Sequence, residues 1–245
     1  IGAPLLFVAN GVSYLLSAVS ELFIDIPMVH KKTEAKQPLW ADMKEGVRFV
    51  WGDLGLRYHI IGFGGLAFLS VGAIIMLMPL FHDRPDLDAA DYGYVMTALT
   101  AGMFAGFAVT SGLRIGHLQR RWVFLVAGIV CMGLMATLPY LPVWAMYVVL
   151  PLAGASGAWL ITLIRTAIQL YVPADKRGKV FSLLGSITMS LAPASMIISG
   201  ILADAIGVGP LFTGGFAGSA FFILWLGTRT PFFDLLSIEG EPEPD

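Results

Sequence analysis

Residues 143–172 read VWAMYVVLPLAGASGAWLITLIRTAIQLYV, and residues 173–179 continue PADKRGK. The first run is long and apolar and holds a single charge, Arg165, before Lys176, Arg177 and Lys179 arrive together. An α-helix rises 1.5 Å per residue and the hydrocarbon layer of a bilayer is about 30 Å thick, so roughly 20 apolar residues suffice to cross it. The stretch therefore reads as a bilayer-crossing helix that stops at a basic connection.

Six further stretches fit the same description: 2–26, 58–81, 92–113, 122–140, 180–203 and 208–227. Each can satisfy its backbone hydrogen bonds within a helix, as lipid demands. The charges between them are sorted. Thirteen of the 15 Lys and Arg residues follow the first, third, fifth and seventh stretches, from Lys31 through Arg57, at Arg114, Arg120 and Arg121, at 176–179, and at Arg229. The alternate connections hold Arg84 among Asp83, Asp86, Asp88 and Asp91, and later Asp204. Basic loops stay on the cytoplasmic side of a membrane, so residue 1 is expected outside and the C-terminus in the cytoplasm. A soluble helical core has no reason to sort its charges this way.

Composition agrees. The chain is 57% apolar and 13% charged with mean hydropathy +0.78, against about 25% charged in a soluble domain. The opening at Ile1 lies inside an apolar run with no basic segment or cleavage site before it, so it reads as the later part of a longer chain rather than a signal peptide. The longest connection places Leu39, Trp40, Met43, Val47, Val50 and Trp51 near helical spacing with Asp42, Lys44, Glu45 and Arg48 between them. That pattern predicts an amphipathic helix on the membrane surface, acting as a connector or as a lipid- or partner-sensing element. The domain reading is 1–27 as a final helix of an upstream bundle, 28–57 as linker, 58–229 as a six-helix bundle, and 230–245 as an acidic cytoplasmic tail.

Enzymatic chemistry finds no foothold. There is no G-x-x-x-x-G-K-[ST] loop for ATP, and Gly154-Ala-Ser-Gly157 lacks the spacing of a nucleophile elbow. His30, His59, His82 and His117 are scattered without an i, i+4 pair, so no metal site or other cofactor is expected. The lone Cys131 sits in an apolar run.

Ionisable groups within spans are costly in lipid and point to function. Thr162, Arg165, Thr166 and Gln169 recur at i, i+3, i+4 and i+7, one face of a helix, and the stripe extends up to Trp159 and Ala155. It reads as the wall of a substrate cavity, while Arg165 alone also fits a side chain snorkelling to the headgroups or pairing with a neighbour. Glu21 and Asp25, one turn apart, could share a coupling proton or be neutralised by nearby lysines. His59 sits where it could titrate or serve as a structural group. Gly102-x-x-x-Gly106 and Gly214-x-x-x-Gly218 predict close helix approach, and Pro151 and Pro193 predict bends.

The run Ile164-Arg-Thr-Ala-Ile-Gln169-Leu-Tyr-Val-Pro173-Ala-Asp-Lys-Arg177-Gly178-Lys179-Val180 resembles the junction of the tenth and eleventh helices in major facilitator superfamily transporters, in the bacterial exporter branch that includes enterobactin and macrolide efflux proteins. Ser199-Gly-Ile-Leu-Ala-Asp204-Ala-Ile-Gly207 is similar to that branch's eleventh-helix ending. Phe7 through Ala18 resembles its sixth helix, and Met43-Lys-Glu-Gly46-Val-Arg-Phe-Val50 its central amphipathic segment. One departure stands out: Gly112-Leu-Arg-Ile-Gly-His-Leu-Gln-Arg120-Arg121 keeps the glycine and arginine pair of the family's loop motif but lacks its aspartate.

The resemblance implies an all-α integral membrane protein whose seven helices are the sixth to twelfth of a twelve-helix fold. It implies a secondary active transporter working by alternating access in a bacterial inner membrane, and an efflux antiporter driven by protons that moves small amphipathic molecules such as drugs or siderophores. A lysophospholipid carrier is the alternative within that class, and a non-transporting sensor or scaffold the alternative outside it. On this reading Trp159, Thr162, Arg165, Thr166 and Gln169 line the substrate cavity, Glu21 and Asp25 carry protons, and Gly112, Arg120, Arg121, Arg177, Gly178 and Lys179 form cytoplasmic gating loops. The expected partners are a small-molecule substrate and the bilayer, with no nucleic acid, in a monomer.

Overall fold

The computed structural model describes residues 3–24, 39–113 and 115–237, and the regular structure among them is helical. The chain divides into two compact units, Ile1–Pro38 and Leu39–Asp245. In the first, α1 (Ala3–Glu21) ends in a turn through Phe23, short of the span expected over 2–26. Asn10, Ser13, Ser17 and Ser20 dilute its apolar character, and Ser13 and Ser20 turn their hydroxyls back onto backbone carbonyls three residues earlier.

The second unit contains α2 (Leu39–Gly52), α3 (Leu54–Ile75), α4 (Leu77–His82), α5 (Ala89–Gly112), α6 (His117–Thr137), α7 (Val143–Tyr171), α8 (Ala174–Ile206), α9 (Val208–Gly227) and α10 (Thr230–Leu236). Among the described residues six segments are long and apolar enough to cross a membrane: Leu54–His82, Ala90–Gly112, Gln119–Tyr140, Val143–Tyr171, Ala174–Ile206 and Val208–Gly227. The seventh expected span, carried by α1, is not one of them.

The ends of these helices follow from their residues. Asp53 accepts the Leu56 N–H at 2.8 Å to start α3, and Asp88 with Asp91 forms a reciprocal capping box at the start of α5. Gly207, at φ +87°, breaks α8 from α9 in a conformation that suits only glycine. The basic run Lys176–Lys179, expected in a loop, lies inside α8 instead. Pro173 ends α7's exit turn and the chain re-enters a helix at Ala174, leaving a connection of two residues. At 33 residues, α8 is about 50 Å long and overhangs the hydrocarbon.

The spans pack in an order unlike their order in sequence: α5 on α7, α7 on α6, α6 on α9, α9 on α3, and α3 on α8. The tightest contact is between α5 and α7. A Cβ placed on Gly102 would lie 2.1 Å from the Pro151 carbonyl oxygen, one on Gly106 2.6 Å from that of Ala155, and one on Gly154 2.3 Å from that of Leu99. Backbone meets backbone there, so the Gly102/Gly106 expectation holds. The Gly214/Gly218 expectation fails. Gly214 faces open space and Gly218 barely touches Leu69, whereas the neighbouring Gly215 meets Ala73 and the Leu69 carbonyl. The motif is right by composition but turned about one residue away from the contact. Between α3 and α8, Gly72 makes room for Ser195 and Ser199, and the Ser195 hydroxyl donates to the Phe68 carbonyl. Interhelical polar contacts of this kind replace the water that lipid cannot offer.

One end of the bundle gathers the basic residues. Lys179 pairs with Glu45 of α2 at 2.7 Å, Lys176 lies 4.6 Å from the Phe49 ring, and Arg177 donates to the Val172 carbonyl at 2.8 Å. Residues 39–52, read as an amphipathic segment, form the helix α2, which docks on α8 and α3 and buries Val50. Residues 230–236, assigned above to an acidic tail, are instead a short helix. In α10 Phe232, Phe233, Leu235 and Leu236 are buried. Phe232 stacks on His59 at 4.2 Å and leans on Phe124 at 5.0 Å, and Arg121 sits 4.6 Å over Phe233. His59 is thereby a structural group, 1% exposed, with Nδ1 on the Gly55 carbonyl at 3.0 Å.

At the opposite end, Arg84 is explained by its contacts. It pairs with Asp86 at 2.5 Å and donates to the carbonyls of Pro139 and Leu141 at 3.3 and 2.7 Å. That ties the α4–α5 connection to the turn before α7. The guanidinium holds the Asp86 carboxyl below the usual carboxylate range.

Candidate substrate pathway

The polar stripe on α7 is real but divided. Trp159, Thr162 and Thr166 line one pocket of about 160 Å³, together with Thr110 of α5, Leu113 just past it, Ile115, Arg120 of α6, and Leu236 of α10. This space opens where α5 and α7, pressed together at Gly102 and Gly154, run on toward the basic end. Thr162 spends its hydroxyl proton on the Ala158 carbonyl at 2.9 Å.

Arg165 and Gln169 do not enter that pocket. Both are exposed, and neither has a hydrogen-bond or ion-pair partner among the described residues. Residues spaced by three, four and seven spread over roughly a third of a helix circumference, so one stripe can serve two surfaces. Arg165 projects from α7 about two turns before its end at Tyr171, and a guanidinium there is costly against acyl chains. Its surface has to meet water, headgroups, substrate or another part of the protein.

A second polar line was not anticipated. Ser182, Ser186 and Ser190 of α8 are all exposed and repeat every four residues, which places them on one face. The i, i+4, i+8 serines were visible in the sequence but carried no charge to draw attention. Helices α5 and α8 stand at the two ends of the packing order and have the smallest buried shares of the six spans, 17% and 11%. The three serines lie on the free flank of α8, whereas Arg165 and Gln169 project from α7.

Beside the pocket runs a larger groove of about 520 Å³ between α5 and α6 with α7 as its floor. Its lining is apolar apart from Ser156, whose hydroxyl is bonded to the Leu152 carbonyl at 2.8 Å. Groove and pocket share Trp159.

Of the remaining candidates, Arg120 borders that pocket and the others fall elsewhere. Gly112 is the last residue of α5, facing open space. Arg120 and Arg121 lie in the first turns of α6, and Arg177, Gly178 and Lys179 in those of α8. None of the last five is in a loop, and the charged ones contact carbonyls, rings or Glu45: Arg120 reaches the Leu236 carbonyl at 3.4 Å and Arg121 that of Gly227 at 3.4 Å. Glu21 closes α1 and is exposed, while Asp25 and His30 lie outside the described residues.

Comparison with known proteins places this architecture. A multidrug efflux pump, Tap of Mycolicibacterium fortuitum, is 28% identical over 206 residues, covering 80% of this chain and 47% of that protein. Macrolide efflux protein A of Streptococcus pyogenes is 25% identical over 206 residues, covering 81% of this chain and 50% of its own length. The chain spans about half the length of the curated relatives it matches. No solved structure matches it. Residues 1–196 match the profile of the Major Facilitator Superfamily. With helices of spanning length and a polar face on α7 and α8, the chain belongs to the Major Facilitator Superfamily of membrane transporters.

Proposed function

We propose that the chain is the second half, with the last helix of the first, of a twelve-helix secondary transporter that exports small amphipathic molecules across a bacterial inner membrane. The observation that carries this reading is the exposed polar surface of Arg165 and Gln169 on α7 and Ser182, Ser186 and Ser190 on α8. A scaffold has no use for an exposed guanidinium within a span, whereas a carrier needs polar groups where its two halves part around substrate. The free flanks of α5 and α8 are the surfaces on which the rest of the protein would close. Relatives named as multidrug and macrolide efflux proteins support the substrate class.

In this account α1 is the seventh span, and Trp159, Thr162 and Thr166 form a side recess of the pathway. The basic ends of α6 and α8 fix topology and support movement at the cytoplasmic face. Coupling to protons, with Glu21 and Asp25 as carriers, belongs to the same proposal. The protein acts as a monomer with its C-terminus in the cytoplasm.

The test is flux. The full-length protein in proteoliposomes with an imposed proton gradient should move a macrolide against its concentration, and collapse of the gradient should stop it. A lysophospholipid supplied as substrate in parallel distinguishes a lipid carrier. Arg165→Ala should slow transport by roughly tenfold or more, the equivalent of losing a charge-assisted hydrogen bond worth about 1.5–3 kcal/mol, with Arg165→Lys retaining part of the rate. Transport unchanged in Arg165→Ala removes that residue from the pathway. No gradient-driven flux of any arm leaves the scaffold reading.

A further inference from the structure

The bundle covers only one side of α2. Glu45 pairs with Lys179 of α8 at 2.7 Å, and a Cβ placed on Gly46 would lie 3.3 Å from the Lys179 Cβ. The Phe49 ring lies 4.6 Å from the Lys176 ammonium, and Val50 is buried. Just past the helix, Asp53 accepts a hydrogen bond from the Tyr171 hydroxyl of α7. At 3.6 residues per turn these positions fall on one side of α2, the side that docks.

The other side is a different surface. Met43, Val47 and Trp51 repeat every four residues, which aligns them in one stripe, and all three are exposed. Leu54, the first residue of α3, is exposed as well. Lys44 and Arg48, each one residue further along than Met43 and Val47, run beside the stripe. Both are exposed, and neither has a hydrogen-bond or ion-pair partner among the described residues. The acidic residue between them, Glu45, is turned to Lys179. The free face of α2 is thus an apolar strip bordered by two unpaired cations.

Depth names what this strip meets. Only Asp53 separates α2 from the span that begins at Leu54, and the Arg57 guanidinium donates back to the Trp51 carbonyl. That bond holds the end of α2 against the first turn of α3. Trp51 therefore stands where the span enters hydrocarbon, the level at which indole rings settle. We propose that this face of α2 lies in the membrane interface and docks on anionic phospholipids. Met43, Val47 and Trp51 sink among the upper acyl segments, and Lys44 and Arg48 reach the phosphates. An apolar face beside lysine and arginine is the pattern of a helix lying in the interface, and two unpaired cations select an anionic headgroup over a zwitterionic one. Because the opposite side of α2 grips Lys176 and Lys179, and Asp53 holds Tyr171, the lipid contact is fastened to both sides of the α7–α8 connection. The inference concerns the bilayer and not the cargo, and does not depend on the transport reading.

Trp51 supplies the reporter. The full-length protein and its Trp51→Phe variant are placed in phosphatidylcholine nanodiscs, and phosphatidylglycerol or phosphatidylcholine brominated near the top of the acyl chain is titrated in. The difference between the two proteins isolates quenching of Trp51. Brominated phosphatidylglycerol should reach half-quenching at a roughly fivefold lower mole fraction than brominated phosphatidylcholine. Replacing Lys44→Gln and Arg48→Gln together should abolish that preference while quenching by phosphatidylcholine persists. Replacing Met43→Gln and Val47→Gln together should cut quenching by both lipids to half or less. All four positions are exposed, so the unfolding temperature should stay unchanged in both variants, which separates lost lipid contact from lost fold. Equal quenching by the two lipids in the unaltered protein overturns the proposal, as does a preference that survives the Lys44 and Arg48 substitutions. No quenching of Trp51 by either lipid also overturns it, and would show that another protein segment covers this face of α2.

Discussion

Leucine in place of Gly102 will separate α5 from α7 and prevent the bundle from forming as a stable unit. The reason is geometric. A single added carbon at that position already falls 2.1 Å from the Pro151 carbonyl oxygen and 2.4 Å from its Cα. A clash with a side-chain tip can be relieved by a rotamer change, but Pro151 presents backbone, which can yield only by moving the helix. Overpacking in a well-packed core costs about 1–3 kcal/mol and occasionally more, and this site lies at or beyond the top of that range. Gly154→Leu, facing the Leu99 carbonyl from the other side, should behave alike. Gly214→Ala is the control. It has the same sequence motif but open space around it, and alanine is the better helix former by about 1 kcal/mol. Size-exclusion profiles and thermal unfolding in detergent should show Gly102→Leu aggregated or sharply destabilised, with Gly214→Ala equal to or above the unaltered protein.

The second large effect is expected at Phe232. Its ring is 1% exposed and fills the space between His59 of α3 and Phe124 of α6. Truncating a buried phenylalanine costs about 3–5 kcal/mol. Here the loss also unpins α10, because seven residues have little helical stability without tertiary contacts. Phe232→Ala should therefore lower the unfolding temperature and make the segment after Thr228 sensitive to protease. Asp234→Ala, on the exposed side of the same helix, should stay within about 0.5 kcal/mol of the unaltered protein. Equal behaviour of the two variants would show that α10 is not packed as described.

Much of this fold is written at the scale of whole spans. The stretch 208–227 coincides with α9, because its flanks are marked by Gly207 and Thr228 and its interior carries no charge. The expected stretch 180–203 is shorter than α8, which runs from Ala174 to Ile206, because a run of charges does not by itself end a helix. Asp175, Lys176, Arg177 and Lys179 are compatible with a helix that outruns the hydrocarbon, and Pro173 merely resets its start. For α1 the difference is opposite: the expected stretch extends to residue 26, but the helix ends at Glu21.

What hydropathy cannot supply is which face of a helix meets a neighbour. Gly102 and Gly214 carry the same signal, yet only the first meets another backbone. The α7 stripe illustrates the same limit. Periodicity put Trp159, Thr162, Arg165, Thr166 and Gln169 on one side, and only the position of α5 and the start of α6 separates the enclosed three from the exposed two. The α10 staple was missed because seven residues are too few to show a period. Its one local signal, Pro231 at the first turn before two phenylalanines, becomes meaningful only once His59 and Phe124 are near.

The central claim is that the basic end of the bundle faces the cytoplasm while apolar helices carry the chain back and forth across the bilayer. Single cysteines at Lys176 and at Asp86 test it directly, with the buried native Cys131 left in place. Treated in intact cells with a membrane-impermeant thiol reagent, Asp86→Cys should label, and Lys176→Cys should label only after the cells are opened. Labelling of Lys176→Cys from the external medium would contradict the topology and the transporter reading built on it.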